Sequence, residues 1–348
     1  MNSEFVSWDQ ALRLFDEGAT PLHELGIRAD ARRKELCGDE VFYNVNSHIN
    51  PTNVCQYRCA LCAYSCDADS PKAYRMSLEE MLATARTAAE AGCREVHIVS
   101  GVDPVLPYSW YLEIVREIHR AFPRLLIKAF TAVEIAWMAE ISHQTPSHVL
   151  EQLKEVGLST LPGGGAEILV DSVRQKICAK KPMSDVWLDV HRAAHRLGIP
   201  STASILYGHI ETFEDRVTHL FKLRDLQAET GGFLALIPLA FHPAGAQLPL
   251  GNKKLTSAAD DLRMIAAARL ILHNFRNIKA YWISLGVSTA QIALAYGAND
   301  LDGTVRQEKI HHDAGSLSPQ CLTIEELEHL IREAGRVPVR RDSLYRAV

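Results

Sequence analysis

Three thiols fall within one short segment, Cys55-Gln-Tyr-Arg-Cys59-Ala-Leu-Cys62, directly after the run Val45-Asn-Ser-His-Ile-Asn-Pro51. Spaced C-x3-C-x2-C, they can close around one four-iron cluster and leave its fourth iron without a protein ligand. An iron open in this way is where chemistry can take place. Cys66 keeps two other readings open. As a fourth ligand it would complete a zinc site, although zinc usually draws its ligands from two separated pairs rather than one tight loop. Alternatively it would close a four-cysteine cluster used only for electron transfer. Ligand count, loop length and a preceding strand together favour the open cluster.

A loop of this kind needs a rigid frame, and the rest of the chain can supply one. With 348 residues, 47% of them hydrophobic, the chain can bury a large core, and one domain of barrel size suffices. A net charge of −5 with scattered Lys and Arg leaves no footprint for nucleic acid. No signal-like start and no apolar run of spanning length are seen, so no membrane partner and a cytoplasmic location are expected. Cys37, Cys93, Cys178 and Cys321 are widely separated, which suits reduced thiols better than a disulfide framework, and Cys93 and Cys178 read as small buried residues.

Two helical patterns, over about Trp8–Glu17 and Pro21–Leu36, precede any strand and end near Gly18 and Gly38. Residues 1–40 are therefore expected as a helical extension and 41–348 as the main domain. The run Val41–Ile49 reads as a strand feeding the cysteine loop, and Ser77-Leu-Glu-Glu80 as a capping box opening the next helix. Further strands are expected at Glu95–Ser100, Leu125–Phe130, Leu158–Leu161, Ser201–Leu206, Phe233–Pro238 and Ile278–Ile283, with a short one near Gly297. Helices are expected over Tyr108–Ala121, Pro146–Val156, Asp185–Leu197, Glu214–Glu229 and Thr256–Asn274. About eight alternating repeats predict an α/β fold, a parallel (β/α) barrel. A last helix, Thr323–Ala334, leaves a basic tail that reads as solvated.

Barrel enzymes carry their reactive groups at the carboxyl ends of the strands. Polar and glycine-rich segments do follow the strands here: Ser100-Gly-Val-Asp-Pro104, Thr131-Ala-Val-Glu134, Leu161-Pro-Gly-Gly-Gly-Ala-Glu167, Tyr207-Gly-His-Ile-Glu211 and Leu239-Ala-Phe-His-Pro243. Each has a structural and a functional reading. Ser100-Gly101 is either a tight turn or a place where backbone meets a ligand. The three glycines before Glu167 form either a flexible loop or a cradle beside a carboxylate that could take ribose hydroxyls. His209 and His242 are either satisfied structural histidines or ligand contacts at the mouth.

The cysteine spacing and its context resemble the radical S-adenosylmethionine (SAM) superfamily. That resemblance implies a 4Fe–4S cluster on Cys55, Cys59 and Cys62, with SAM chelating the fourth iron. It also implies that Ser100-Gly101 meets the amino group of SAM through backbone carbonyls and that Tyr64 lies beside the adenine. The aromatic residue commonly found just before the third cysteine is replaced by Leu61. Thr131–Ile135, Leu161–Ile168, His195–Ile199, Leu206–Thr212, Pro238–Pro243 and Gly297–Thr304 narrow the resemblance to the aminofutalosine synthases of the futalosine menaquinone pathway. The resemblance covers nearly all of the chain after about residue 40. The Gly297–Thr304 block and the cluster loop are shared with relatives that cyclise dehypoxanthine futalosine or build the deazaflavin cofactor.

Such an enzyme cleaves SAM to a 5'-deoxyadenosyl radical, which adds to the enolpyruvyl ether of 3-hydroxybenzoate. Aryl migration and decarboxylation then give aminofutalosine. The hard chemistry belongs to the cofactor, and the protein orients it and excludes water. The anionic substrate has two carboxylates, which need cationic or donor partners if buried. His242, His209, Lys128 and Arg174 are the candidates, with Arg174 counted also on the cofactor side. For Lys128 and Arg174 a surface or helix-flank charge is the competing reading. Cleaving SAM calls for a cluster near the low end of the iron–sulfur potential range, so a low-potential flavodoxin or ferredoxin is the expected reductant.

Overall fold

Short apolar strands alternate with amphipathic helices along most of this chain, and the computed structural model, which describes residues 6–248 and 255–348, turns that alternation into parallel pairing. The strands are β1 Glu40–Asn44, β2 Asn46–Ile49, β3 Glu95–Ile98, β4 Leu126–Ala129, β5 Leu158–Thr160, β6 Ser201–Tyr207, β7 Phe233–Ala240, β8 Asn277–Ile278, β9 Asp300–Gly303 and β10 Val337–Arg341. They form three ladders, ordered β2-β3-β4-β5, β6-β7-β8 and β10-β1-β9, and the pairs are parallel throughout. Single parallel bridges join them, Leu161 with Ser201 and Lys279 with Asp300, and Ser47 with Arg306 returns the circuit to its start. Since β1 and β2 are two halves of one run interrupted at Val45, the pairings close on themselves with the connectivity of a (β/α) barrel.

The helices form where caps and apolar faces require them. Ser77 and Glu80 make the expected capping box, and the same reciprocal device starts helices at Thr131/Glu134, Thr212/Asp215 and Thr323/Glu326. The helix Leu22–Cys37 packs on Ala258–Ile271, and Trp8 packs edge-on to Phe221, so the first two helices lie against the flank of the barrel. Among the described helices longer than eight residues, one was not expected from the sequence. Ala132–Ser142 buries Ala132 to Ile135 and Trp137 to Ala139 on all sides, so it lacks the polar face by which a surface helix is recognised.

The basic tail is folded onto the barrel rather than left free, although Arg346 stays largely exposed. Val337–Arg341 pairs with β1, and the buried Arg341 meets the buried Asp300 at 2.7 Å. Arg336 and Arg346 likewise reach Asp30 and Asp342, at 2.8 and 2.6 Å. Arg336 and Arg341 are thus matched to acids distant in sequence, while Arg340 donates to the Gly92 carbonyl, and Val337-Pro-Val339 supplies the strand that carries Arg340 and Arg341 there.

Candidate active site at the barrel mouth

A cavity of about 290 Å³ opens at the carboxyl ends of the strands, and Cys55, Cys59 and Cys62 all line it. The loop carrying them is pinned from several sides. Cys55 N–H donates to Cys66 O at 3.1 Å and Cys66 N–H to Asn53 O at 2.9 Å, so Val54 and Cys66 pair across the base of the loop. Ala60 N–H donates to Ile177 O at 3.0 Å, and the Arg58 guanidinium, on a residue at φ 43°, reaches the Ser65 carbonyl. Tyr64 contributes its ring to the lining and donates its hydroxyl to Thr52 O at 2.9 Å.

Cys66 is not among the residues lining the cavity. Among the described residues no three His, Cys, Asp or Glu side chains come together closely enough for one metal ion. The three cavity-facing thiols suit a larger group that bridges them, and the cluster fits this donor set. Burial pushes the Cys59 thiol up to about 12, with the Lys181 ammonium pulling the other way.

Beside the thiols, the loop after β3 comes unusually close to the cluster loop. Gly101 N–H donates to Thr52 O at 2.8 Å, and a Cβ on Gly101 would lie 2.2 Å from the Val54 carbonyl oxygen. The glycine is thus required by protein backbone as well as by any ligand. Ser100 N–H donates to Glu134 Oε1 at 3.1 Å, while Glu134 Oε2 accepts from Thr131 N–H and Oγ–H at 2.7 and 2.8 Å. Burial nevertheless raises the Glu134 carboxyl to about 7.

The glycine-rich loop is packed tightly on β6. Gly163 N–H donates to Thr202 Oγ1 at 3.0 Å, Ser204 Oγ–H donates to Gly163 O at 2.6 Å, and a Cβ on Gly163 would lie 2.7 Å from Ala203 Cα. Glu167 follows at φ 45° and pairs with Lys181 at 2.5 Å on the cavity wall. Burial opposes that carboxylate's charge, and Lys181 overcomes it, holding Glu167 below its ordinary range. The pair sets one acceptor and one donor beside Cys59, which suits a zwitterionic or hydroxyl-bearing ligand.

His48, His97 and Lys128 stand side by side on β2, β3 and β4, each one residue from the carboxyl end of its strand, and all line the cavity. Their rings and ammonium make no side-chain hydrogen bond or ion pair among the described residues, and His97 Nε2 is buried without a partner. Burial lowers both imidazoles, which are therefore neutral at neutral pH, and it lowers Lys128 while the Glu95 carboxylate pushes it back up. Beside them the charges are already matched: Lys279 meets Asp302 at 3.1 Å, and against burial the Lys279 and Lys128 ammonium groups hold that carboxyl at about 2. Nearer the mouth, His242 Nε2 donates to Ser284 O at 2.9 Å and its Nδ1 is buried without a partner. His311 packs edge-on to Tyr281 and beside Glu308, and all three line the same cavity.

The cavity thus gathers Cys55, Cys59, Cys62, Tyr64, Ser100, Gly101, Glu167, Lys128 and His242 from the sequence reading. Two expected residues lie outside it. Arg174 is buried behind the glycine loop, where its guanidinium donates to the Gly165, Ala166 and Pro182 carbonyls, and it acts there as a backbone clamp. His209 is fully buried among its own neighbours, accepting from Ile210 N–H at 2.8 Å and contacting Leu206 O at 3.1 Å and Glu211. Glu134, Lys181, His48, His97, Asp302 and His311 were missed. For His48 and His97 a signal existed, since a polar residue stands at an inward position of an otherwise buried strand; for Lys181, on a connecting loop, there was none.

A three-thiol loop on the first strand of a parallel barrel, facing a cavity at the strands' carboxyl ends, defines a radical SAM enzyme. The chain belongs to that superfamily: the radical SAM superfamily model matches residues 49–223, and the CofH/MqnC C-terminal region matches residues 230–348. It is 42% identical to the aminodeoxyfutalosine synthase of Thermus thermophilus, over 100% of this chain and 94% of that protein. It is also 42% identical to the 5-amino-6-(D-ribitylamino)uracil–L-tyrosine 4-hydroxyphenyl transferase of Archaeoglobus fulgidus, over 91% of each. Among solved structures, methylornithine synthase superposes with a TM-score of 0.75 at 20% identity, covering 97% of this chain and 95% of that one. The FeFe-hydrogenase maturase HydG of Carboxydothermus hydrogenoformans gives 0.74 at 17% identity, covering 99% of this chain and 78% of that one.

Proposed function

We propose that this protein is an aminofutalosine (aminodeoxyfutalosine) synthase of menaquinone biosynthesis, a radical SAM transferase of the cytoplasm. The observation that carries the reading is the end-to-end match, at 42% identity, to a relative bearing that name. Cys55, Cys59 and Cys62 would hold a 4Fe–4S cluster. When bound, cluster and SAM supply a 5'-deoxyadenosyl radical that adds to the enolpyruvyl ether of 3-hydroxybenzoate, with rearrangement and decarboxylation to aminofutalosine. The protein's part is binding, orientation and exclusion of water. Tyr64, Ser100, Gly101 and the Glu167–Lys181 pair form the wall that would position SAM, and Glu134 fixes the Ser100 amide from behind. Lys128 and His242 are the groups that would meet the substrate carboxylates. The electron donor we propose is a low-potential flavodoxin or ferredoxin, so NADPH without a mediator should not support turnover.

The test follows the adenosyl group. With isotope in the adenosyl moiety of SAM, radical addition puts the label in the product with loss of one substrate carboxylate. Stoichiometric release of labelled 5'-deoxyadenosine, with none in the main product, would sink the synthase reading. A second reading, attachment of a hydroxyphenyl group to a ribitylaminouracil, is favoured by the equal identity to the Archaeoglobus fulgidus relative. Offering tyrosine and the ribitylaminouracil in place of the enol ether separates the two.

A further inference from the structure

We infer that His312, as an imidazolium, is a positioning residue of the site: its ring ties the turn Ile310–Asp313 to Glu308 and to Ser318, and thereby holds His311 and Glu308 in the wall of the cavity. The inference concerns that wall and holds for the synthase and for the hydroxyphenyl transfer alike.

The charge of the ring follows from its surroundings. His312 Nδ1 lies 2.9 Å from Glu308 Oε2 and 3.0 Å from Glu308 O, and Nε2 lies 3.2 Å from Ser318 O. All three atoms are acceptors, so both ring nitrogens must donate. A neutral imidazole has one N–H and would set its remaining lone pair against an oxygen; the imidazolium satisfies both ends. Burial opposes this charge, and the Glu308 carboxylate outweighs it, which raises the ring above the ordinary histidine value of 6.5. Glu308 and Asp313 are the charged groups that face the ring, both from its own segment, with Lys72 and Lys309 beyond Asp313. From the elements packed against the segment, His48 on β2 and His242 after β7 face Glu308.

The turn depends on such a tie. Ile310–Asp313 is a single helical turn that buries none of its residues, and one turn does not sustain itself. Beyond it the chain is anchored where Ser316 Oγ–H donates to Ile283 O at 2.6 Å and Ser318 Oγ–H to Trp282 O at 3.0 Å. His312 joins that anchored end to Glu308 at the start of the turn. On the cavity side, Glu308 is 3% exposed, accepts from His311 N–H at 2.9 Å and lies 3.5 Å from His311 Nδ1, and Ile310, His311 and Ala314 line the cavity with it. Loss of the His312 proton breaks one end of the tie, and the groups that then loosen are part of the cavity wall. Because the ring's value is raised by folding, the tie is complete below 6.5 and is lost as pH rises through the raised value.

The experiment reads hydrogen exchange of residues 308–318, corrected for the intrinsic chemical rate, against helix Tyr108–Ala121 of the same anaerobically reconstituted protein at pH 6 and pH 9. In wild type the protection of 308–318 relative to that helix should fall about tenfold between the two, as expected for the loss of one charge-assisted hydrogen bond. His312→Gln should show the lower protection at both. Over the same interval the wild-type KM for the aromatic substrate that is turned over, enol ether or tyrosine, should rise by a similar factor with kcat changing less, while His312→Gln should have the raised KM already at pH 6 and no further rise. The exchange measurement needs no substrate, so it tests the tie whichever reaction is assigned, and the wild-type pH series is sufficient should His312→Gln fold poorly. Wild-type protection that is flat with pH overturns the tie, as does a His312→Gln protected like wild type at pH 6. A loosened 308–318 with an unchanged KM overturns the positioning role.

Discussion

Gly101→Ala is the smallest change that should disable the cluster loop without touching a thiol. The added Cβ would stand 2.2 Å from the Val54 carbonyl oxygen and 2.9 Å from its carbon, where ordinary contact begins near 3.4 Å, so the two loops must separate by about 1 Å. Both sides of the clash are backbone, which no rotamer change can relieve, and the displaced residue immediately precedes Cys55. A misplacement of about 1 Å costs on the order of a hundredfold in rate when it reaches the reacting groups. The Gly101 N–H bond to Thr52 O, 2.8 Å long, would stretch as well. After anaerobic reconstitution, iron and sulfide content and the rate of SAM cleavage should be measured beside Gly18→Ala, a control whose Cβ meets nothing closer than 3.4 Å. We expect Gly101→Ala to lose cluster occupancy, or to keep it and cleave SAM about a hundredfold more slowly, with Gly18→Ala near wild type. Occupancy and rate within threefold of wild type would refute the claim that close backbone approach positions the cysteines.

Cys66→Ala should retain iron and SAM cleavage, while Ala at Cys55, Cys59 or Cys62 should abolish cleavage; iron analysis of the four variants decides this. Arg341→Met should destabilise the fold by about 3–5 kcal/mol, because it strands the buried Asp300 carboxylate, and chemical denaturation would measure the loss. Glu134 gives a pH dependence of definite sign. Its folded value of about 7 lies above the ordinary 4.5, so the unfolded chain releases its proton first and stability falls as pH rises between those values, by at most about 3 kcal/mol. The stability of wild type relative to Glu134→Gln should therefore decline from pH 5 to pH 7 and level off above it; a difference that is flat, or that rises with pH, would contradict the assignment.

Sequence alone determined the elements whose signals are local. The C-x3-C-x2-C loop, the capping box at Ser77 and Glu80, and the alternation of strands with amphipathic helices are each contained in a few consecutive residues. Helix Tyr108–Ala121 could be placed from them to the residue. What only the tertiary structure decided depends on residues far apart in the chain. The tail at Val337–Arg341 looked solvated because its arginines outnumber the acids near them in sequence, yet Asp300 and Asp30 wait for two of them across the fold. Arg174 and His209 followed promising loops but turn into the protein, since a side chain's direction at a strand end is set by packing rather than by its place in a motif. The row of His48, His97 and Lys128 is the converse case: each is a polar residue in a short, mostly buried strand, and parallel register alone brings the three to one level of one cavity.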